Sequence, residues 1–180
     1  MEMIFRLSAC LIFSLYNCYT DWKHYKIWNK AILLFAGIAL ICSFLMGGIS
    51  DVLGSLAGMA IMLVLFPLFA LRMLGAGDIK ALMAIGLMLK YPFALYALCG
   101  TFLASGVIAL ILSIFRKNAR ERFKTFFYYL ANCLRTLTLA SYTTAMDSQD
   151  QSTFRFSYGI ALGIFILLLY QIWLTIHGVV

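Results

Sequence analysis

Charge is scarce in this chain. Of its 180 residues only 12% are charged and just seven are acidic, while 64% are hydrophobic. A soluble domain is closer to half apolar and a quarter charged. So much apolar surface cannot be hidden in a soluble core of this size, so lipid must be the solvent. Nothing is left over that reads as a separate soluble domain. Cysteine is present but without pattern: Cys10, Cys18, Cys42, Cys99 and Cys133 include no Cys-x-x-Cys pair, and most sit in apolar runs. They read as small buried hydrophobes, and neither a zinc site nor a disulfide framework has support. The first twenty residues, "MEMIFRLSACLIFSLYNCYT", lack both the basic cluster and the small-x-small site of a cleavable signal peptide. They read as a retained first helix.

What is there is a series of six apolar segments, at about 3–20, 31–48, 53–71, 79–90, 92–115 and 158–177. This predicts an all-α, polytopic membrane helix bundle with about six transmembrane helices, forming one domain over residues 1–180. The fourth segment is too short to cross comfortably as a straight helix. Tyr91-Pro92 marks its break from the fifth, because proline disfavours helix at the residue before it. Ser50-Asp51 is placed to cap the third segment.

The basic residues orient the bundle. With the N-terminus outside, Lys23, Lys26, Lys30, Arg72, Lys80, Arg116, Lys117, Arg120, Arg122, Lys124, Arg135 and Arg155 all lie inside, and only Arg6 and Lys90 outside. Twelve against two is a strong positive-inside bias. It accounts for the net charge of +7 as a membrane-orientation signal, with no nucleic-acid partner implied. The inner loop at about 116–157 begins with "RKNARERFKTFFYYLANCLRTLTL", whose Phe123, Phe127, Leu130, Leu134 and Leu137 fall at helical spacing. It reads either as an amphipathic helix on the anionic inner leaflet or as a helix packed under the bundle. A polar linker, "SYTTAMDSQDQST", follows.

Two acids then stand out. Asp78, in "LGAGDIKALMAIGL", sits at the inner end of the fourth helix, and Asp21, in "YTDWKHYKIWN", where the first helix leaves the membrane. Glu121 belongs to the basic surface segment, and Asp51 and Glu2 to the opposite side. Two aspartates from separate loops at one membrane face are the raw material of an aspartyl hydrolase. One carboxylate must be ionised to activate water, and the other protonated to polarise the scissile carbonyl. Helix ends favour the anion at Asp78, at an N-terminus, and the shared proton at Asp21, after a C-terminus. Gly75 and Gly77 are expected to supply backbone freedom and room for another backbone. Lys80 would screen the pair or bind a substrate carbonyl, or else serve as an inner-side snorkelling anchor.

Gly-x-Gly-Asp alone arises by chance in roughly one chain in twenty-five of this length. Its setting makes it specific, and here the chain resembles the type IV prepilin leader peptidases, in the short form of tight-adherence (Flp-type) pilus systems. "TDWKHYKIWNK" resembles the family's first aspartate loop, "GAGDIKALMAIG" its Gly-x-Gly-Asp-x-Lys box, and "FRFSYGIALGIFIL" the start of its final helix. The likeness spans nearly the whole chain except the 116–157 loop. It implies catalytic roles for Asp21 and Asp78 and motif positions for Gly75, Gly77 and Lys80. Trp28 stands where the family usually has proline, and Ser157 at the final helix's usual proline. The resemblance further implies a prepilin or pilin-like precursor as substrate, with a short basic leader ending in glycine, then an apolar helix. Cleavage would occur at the cytoplasmic face of the inner membrane, with no metal or organic cofactor. Long members carry a four-cysteine zinc region and also methylate the new N-terminus. That region is absent here, which argues against methyltransferase activity. Two rivals remain: a proton- or cation-coupled transporter, against which the few polar residues deep in the spans argue, and another Gly-x-Gly-Asp membrane protease such as a preflagellin peptidase.

Overall fold

The computed structural model describes residues 1–24, 27–70, 74–115 and 155–178, and these are all helix and short connection, with no strand. The helices are α1 (Glu2–His24), α2 (Asn29–Met62), a 3-10 turn (Leu63–Leu65), α3 (Phe66–Ala70), α4 (Ala76–Leu89), α5 (Phe93–Phe115) and α6 (Phe156–Ile176). The amphipathic segment and linker expected at 116–157 lie outside the described residues except for the last three. Lys26, Arg72 and Cys133 lie outside them too.

Helix α2 joins the second and third apolar segments. Its regular dihedrals fail only at Gly47 (φ −147°, ψ 15°) and Gly48 (φ 63°, ψ −147°). The chain reverses there. Ser43 and Ser55 are twelve residues apart, which would separate them by about 18 Å along one straight helix, yet their hydroxyls hydrogen-bond at 2.7 Å. Gly48 is the residue that permits this, since its positive φ is open to glycine at little cost. Among the described residues four stretches are long and apolar enough to cross a membrane: Glu2–His24, Asn29–Phe69, Phe93–Leu112 and Phe156–Ile176. The second of these is the folded hairpin, so it contributes two arms. The chain is thus a multi-pass helical bundle, with large apolar side chains such as Leu33, Leu45, Ile49, Leu103 and Ile166 exposed on its outside.

The 14-residue α4 is different. It is apolar all round, the pattern of a helix enclosed by others, and nearly every residue from Ile79 to Leu89 is buried. It packs chiefly against α2, while α5 pairs with α6 and α1 touches both α6 and α4. In lipid, helices gain little from apolar burial against each other, so close packing and buried hydrogen bonds must hold them. Glycine supplies the closeness. A methyl group added at Gly58 in α2 would overlap the carbonyl of Gly86 in α4, and one at Gly86 would lie 2.5 Å from the carbonyl of Gly58. Gly163 of α6 likewise lies against the backbone of Gly100 and Thr101 in α5.

The end of the bundle away from Asp21 and Asp78 is tied by charge. The Arg6 side chain, wholly buried, donates to Glu2 (2.9 Å), Asp51 (3.3 Å), Ser43 (3.0 Å) and the carbonyl of Met88 (2.8 Å). Lys90 donates to the same two acids, at 3.1 Å to Glu2 and 2.6 Å to Asp51. The capping role expected of Ser50-Asp51 is therefore not taken up: Ser50 Oγ donates to the Gly47 carbonyl, and Asp51 joins the ion cluster. The break expected at Tyr91-Pro92 is present, with α4 ending at Leu89 and α5 beginning at Phe93.

Candidate active site

Helix α1 runs to His24, further than its apolar segment suggests, so Asp21 lies in the last turn of the helix and not in the loop after it. Lys23 and His24, in the same turn, suit the helix's negative end. Asp78 lies in the first turn of α4, as expected from its sequence position. The two carboxylates, 57 positions apart in sequence (78 − 21), come close enough for the charge of Asp21 to act on Asp78. They are coupled through space, and share no hydrogen bond.

Their surroundings differ. Asp78 is partly buried, outside the four membrane-crossing stretches. Burial, with the Asp21 charge second, pushes its acid up to about 6 from the ordinary 3.8, against a lowering by the Gly75 backbone N–H that donates to it. Burial thus outweighs the helix N-terminus, which falls short of replacing the lost water. At Asp78, then, the helix N-terminus does not hold the carboxyl at or below its ordinary value. Asp21 accepts a hydrogen bond at Oδ2 from Ser157 Oγ at 2.6 Å.

The motif glycines act through space. Gly75 has φ −70° and ψ 143°, an extended conformation open to any residue, and Gly77 lies inside the first turn of α4. Neither takes the positive φ that would require glycine. A Cβ at Gly75 would sit 3.0 Å from Asp78 Oδ2, and one at Gly77 would sit 3.2 Å from Ile27 Cβ. The first glycine leaves room for the carboxylate. The second lets the buried Ile27, from the connection after α1, lie on the start of α4. Ile27 therefore helps hold the two aspartate-bearing segments together, a role the sequence signals only by its place between the two polar motifs.

Lys80 is exposed and reaches Asn29 Oδ1 at 3.5 Å, a weak contact between the starts of α4 and α2. It makes no ion pair with either aspartate. Trp28, at the expected proline position, is the exposed residue before α2 and tilts its ring towards His24 at 6.0 Å. Two residues gain importance that the sequence did not reveal. Ser157, notable there only as a missing proline, touches Asp21. Cys18, one turn before Asp21, donates from Sγ to the Ser157 carbonyl at 3.1 Å.

Among the described residues no three His, Cys, Asp or Glu side chains gather in a set that could hold a metal ion. Two apolar grooves, of about 640 and 590 Å³, open between helices elsewhere, the first between α1 and α2, the second between α1, α5 and α6. Neither is lined by Asp21 or Asp78. Both are furrows among outward apolar side chains, so they do not define the reacting centre.

Comparison with known proteins gives one match. The profile described as "Type IV leader peptidase family" covers residues 8–114, more than half of the chain and both aspartates. No curated protein matches significantly, and neither does any solved structure.

Proposed function

Because the chain belongs to the type IV leader peptidase family, we propose that it is an aspartic endopeptidase of the cytoplasmic (inner) membrane. Its substrate is a type IV prepilin or pilin-like precursor of the tight-adherence kind, cut between leader and apolar helix at the cytoplasmic face. The observation that carries the reading is the unequal pair: two aspartates from separate helices come close at one end of the bundle, one partly buried with its acid pushed up, the other served by a hydroxyl donor.

The chemistry follows from that inequality. Asp21, ionised, takes a proton from a water molecule as the water oxygen attacks the scissile carbonyl carbon. Asp78, protonated, donates to the carbonyl oxygen, which becomes a hydroxyl in the tetrahedral intermediate. The intermediate then collapses. The C–N bond breaks, the nitrogen leaves as an amine carrying the proton held by Asp21, and a proton returns to Asp78. Water has been added across one peptide bond. The short α4 supports this reading. At about 21 Å it is shorter than the roughly 30 Å hydrocarbon layer. Its far end is tied to the Arg6–Lys90 cluster, so the Asp78 end stops short of the other face, at the depth where a substrate helix meets its leader. Lys80 is a surface anchor in this mechanism.

The test is co-expression with a candidate prepilin, scored by the mass of the precursor. The wild-type chain is expected to remove the leader. Asp21→Asn and Asp78→Asn are each expected to insert normally and lose cleavage by about 10²–10⁴-fold or more, and Lys80→Met to lose far less. Near-normal cleavage by correctly inserted Asp78→Asn would refute the aspartyl mechanism.

A further inference from the structure

We propose that Ser157 is a positioning residue of this site: through its hydroxyl, α6 fixes which oxygen of Asp21 faces the substrate. The inference rests on the catalytic assignment of Asp21 made above.

The geometry is specific. Ser157 is the second residue of α6, and only 1% of it is exposed. The N-cap position of α6 is Arg155, two residues earlier, so this serine is not the residue placed to cap its own helix. It reaches across 136 positions of sequence to donate to Asp21 Oδ2 at 2.6 Å. Its carbonyl is held in turn by Cys18 Sγ, three residues before Asp21 on α1. Ser157 is therefore joined to the last turns of α1 at two points.

The hydroxyl is also anchored from behind. Two residues on, Gly159 lies against Ser105 of α5, so closely that an added methyl group would overlap its Oγ. Four residues further, Gly163 lies against the Thr101 backbone. The start of α6 cannot follow a wandering carboxylate, so the carboxylate is held to it. With Oδ2 occupied by a donor, Oδ1 is the oxygen left to accept a proton from water. Misplacing a reacting group by about 1 Å can cost 10²-fold in rate, so a fixed donor at this point has a direct kinetic consequence. A proline here, the residue usual at this position in the family that the chain resembles, would offer no hydroxyl. Residue 157 also lies beyond the stretch matched by the family profile.

The experiment measures kcat and KM for precursor cleavage by wild type, Ser157→Ala, Ser157→Cys and Ser157→Thr in proteoliposomes, with Asp21→Asn in parallel. Ser157→Ala is expected to lower kcat roughly 10- to 100-fold with KM within about twofold. Ser157→Thr, which restores the hydroxyl, should recover most of the rate. Ser157→Cys keeps the shape with a weaker donor and should fall between. It also serves as the decisive variant if the alanine form accumulates poorly. Wild-type kcat in whichever of these two is measured overturns the proposal. So does a loss spread over kcat and KM that threonine fails to rescue, which would mark Ser157 as merely structural. The two levels separate cleanly: an active Asp21→Asn defeats the aspartyl reading itself, whereas an inactive Asp21→Asn beside a fully active Ser157→Ala defeats only the role of Ser157.

Discussion

Asp78→Asn should make the protein more stable while removing its activity. The carboxyl of Asp78 is pushed up to about 6 from 3.8, with burial as the leading cause. At 1.36 kcal/mol for each tenfold change in proton affinity, that gap is worth about 3 kcal/mol. The sign follows from linkage. Between pH 3.8 and about 6 the folded state binds more proton at this site than the unfolded state, so stability falls as pH rises through that window. Above about 6 the penalty is complete, and below 3.8 it is absent. Asparagine has nearly the same shape and no charge at any pH. The variant should therefore match wild type near pH 4 and exceed it by up to about 3 kcal/mol at pH 7.5. For a chain of this size that is roughly 6–12 °C in Tm. The assay is thermal unfolding of both purified proteins in one detergent across pH 4–8. A variant no more stable than wild type at pH 7.5, or a gap that does not grow with pH, would refute the argument that burial outweighs the helix end at this carboxylate.

Four more outcomes can be checked. The kcat/KM of cleavage should fall above pH about 6, as the acid Asp78 loses its proton in the free enzyme; a flat profile from pH 5 to 8 would assign the acid elsewhere. Arg6→Met should lower stability by about 3 kcal/mol, since it breaks a buried network of ion pairs and hydrogen bonds; a variant that melts like wild type would contradict this. Gly86→Leu should cost at least 1–3 kcal/mol by forcing α4 off Gly58, while Gly106→Leu, where nothing lies within 4 Å, should be neutral in the same melt. Single cysteines at Lys23 and Ile49, in a background freed of native cysteines, should label from opposite sides of the membrane, position 49 from outside; labelling of both from one side would sink the orientation.

The parts of this fold legible in the sequence are those carried by local pattern. Apolar runs locate the helices because lipid demands them, and Gly-x-Gly-Asp marks Asp78 because a carboxylate there needs a reason. Partners across the bundle leave no such trace. The reversal at Gly47–Gly48 is a pair of glycines among thirteen. Arg6 reads as one outer charge, although its partners lie up to 82 positions away, at the end of α4. Ser157 reads as a substitution at a helix start until α6 is seen against α1. The upward shift of the Asp78 acid was also out of reach. The macrodipole can be read from where a helix begins, but burial depends on what surrounds that beginning.

That surrounding is set by α4 itself. A helix long enough to span would bring its first turn to the aqueous boundary, where water would stabilise the Asp78 anion and leave no proton to donate. α4 has only 14 residues, and its last turn is held to Arg6. Its later turns are enclosed by α1, α2, α5 and α6, and at its partly buried start the Asp78 carboxyl loses part of its water. The close contact of Gly58 with Gly86 is part of the same device, because a bulkier pair would push α2 away from α4 and open its flank. On this argument the acid's proton is retained by helix length and packing, while the neighbouring charge of Asp21 adds a smaller share. Neutralising Asp21 should therefore lower the acid's titration only in part, leaving it still above the ordinary carboxylate value.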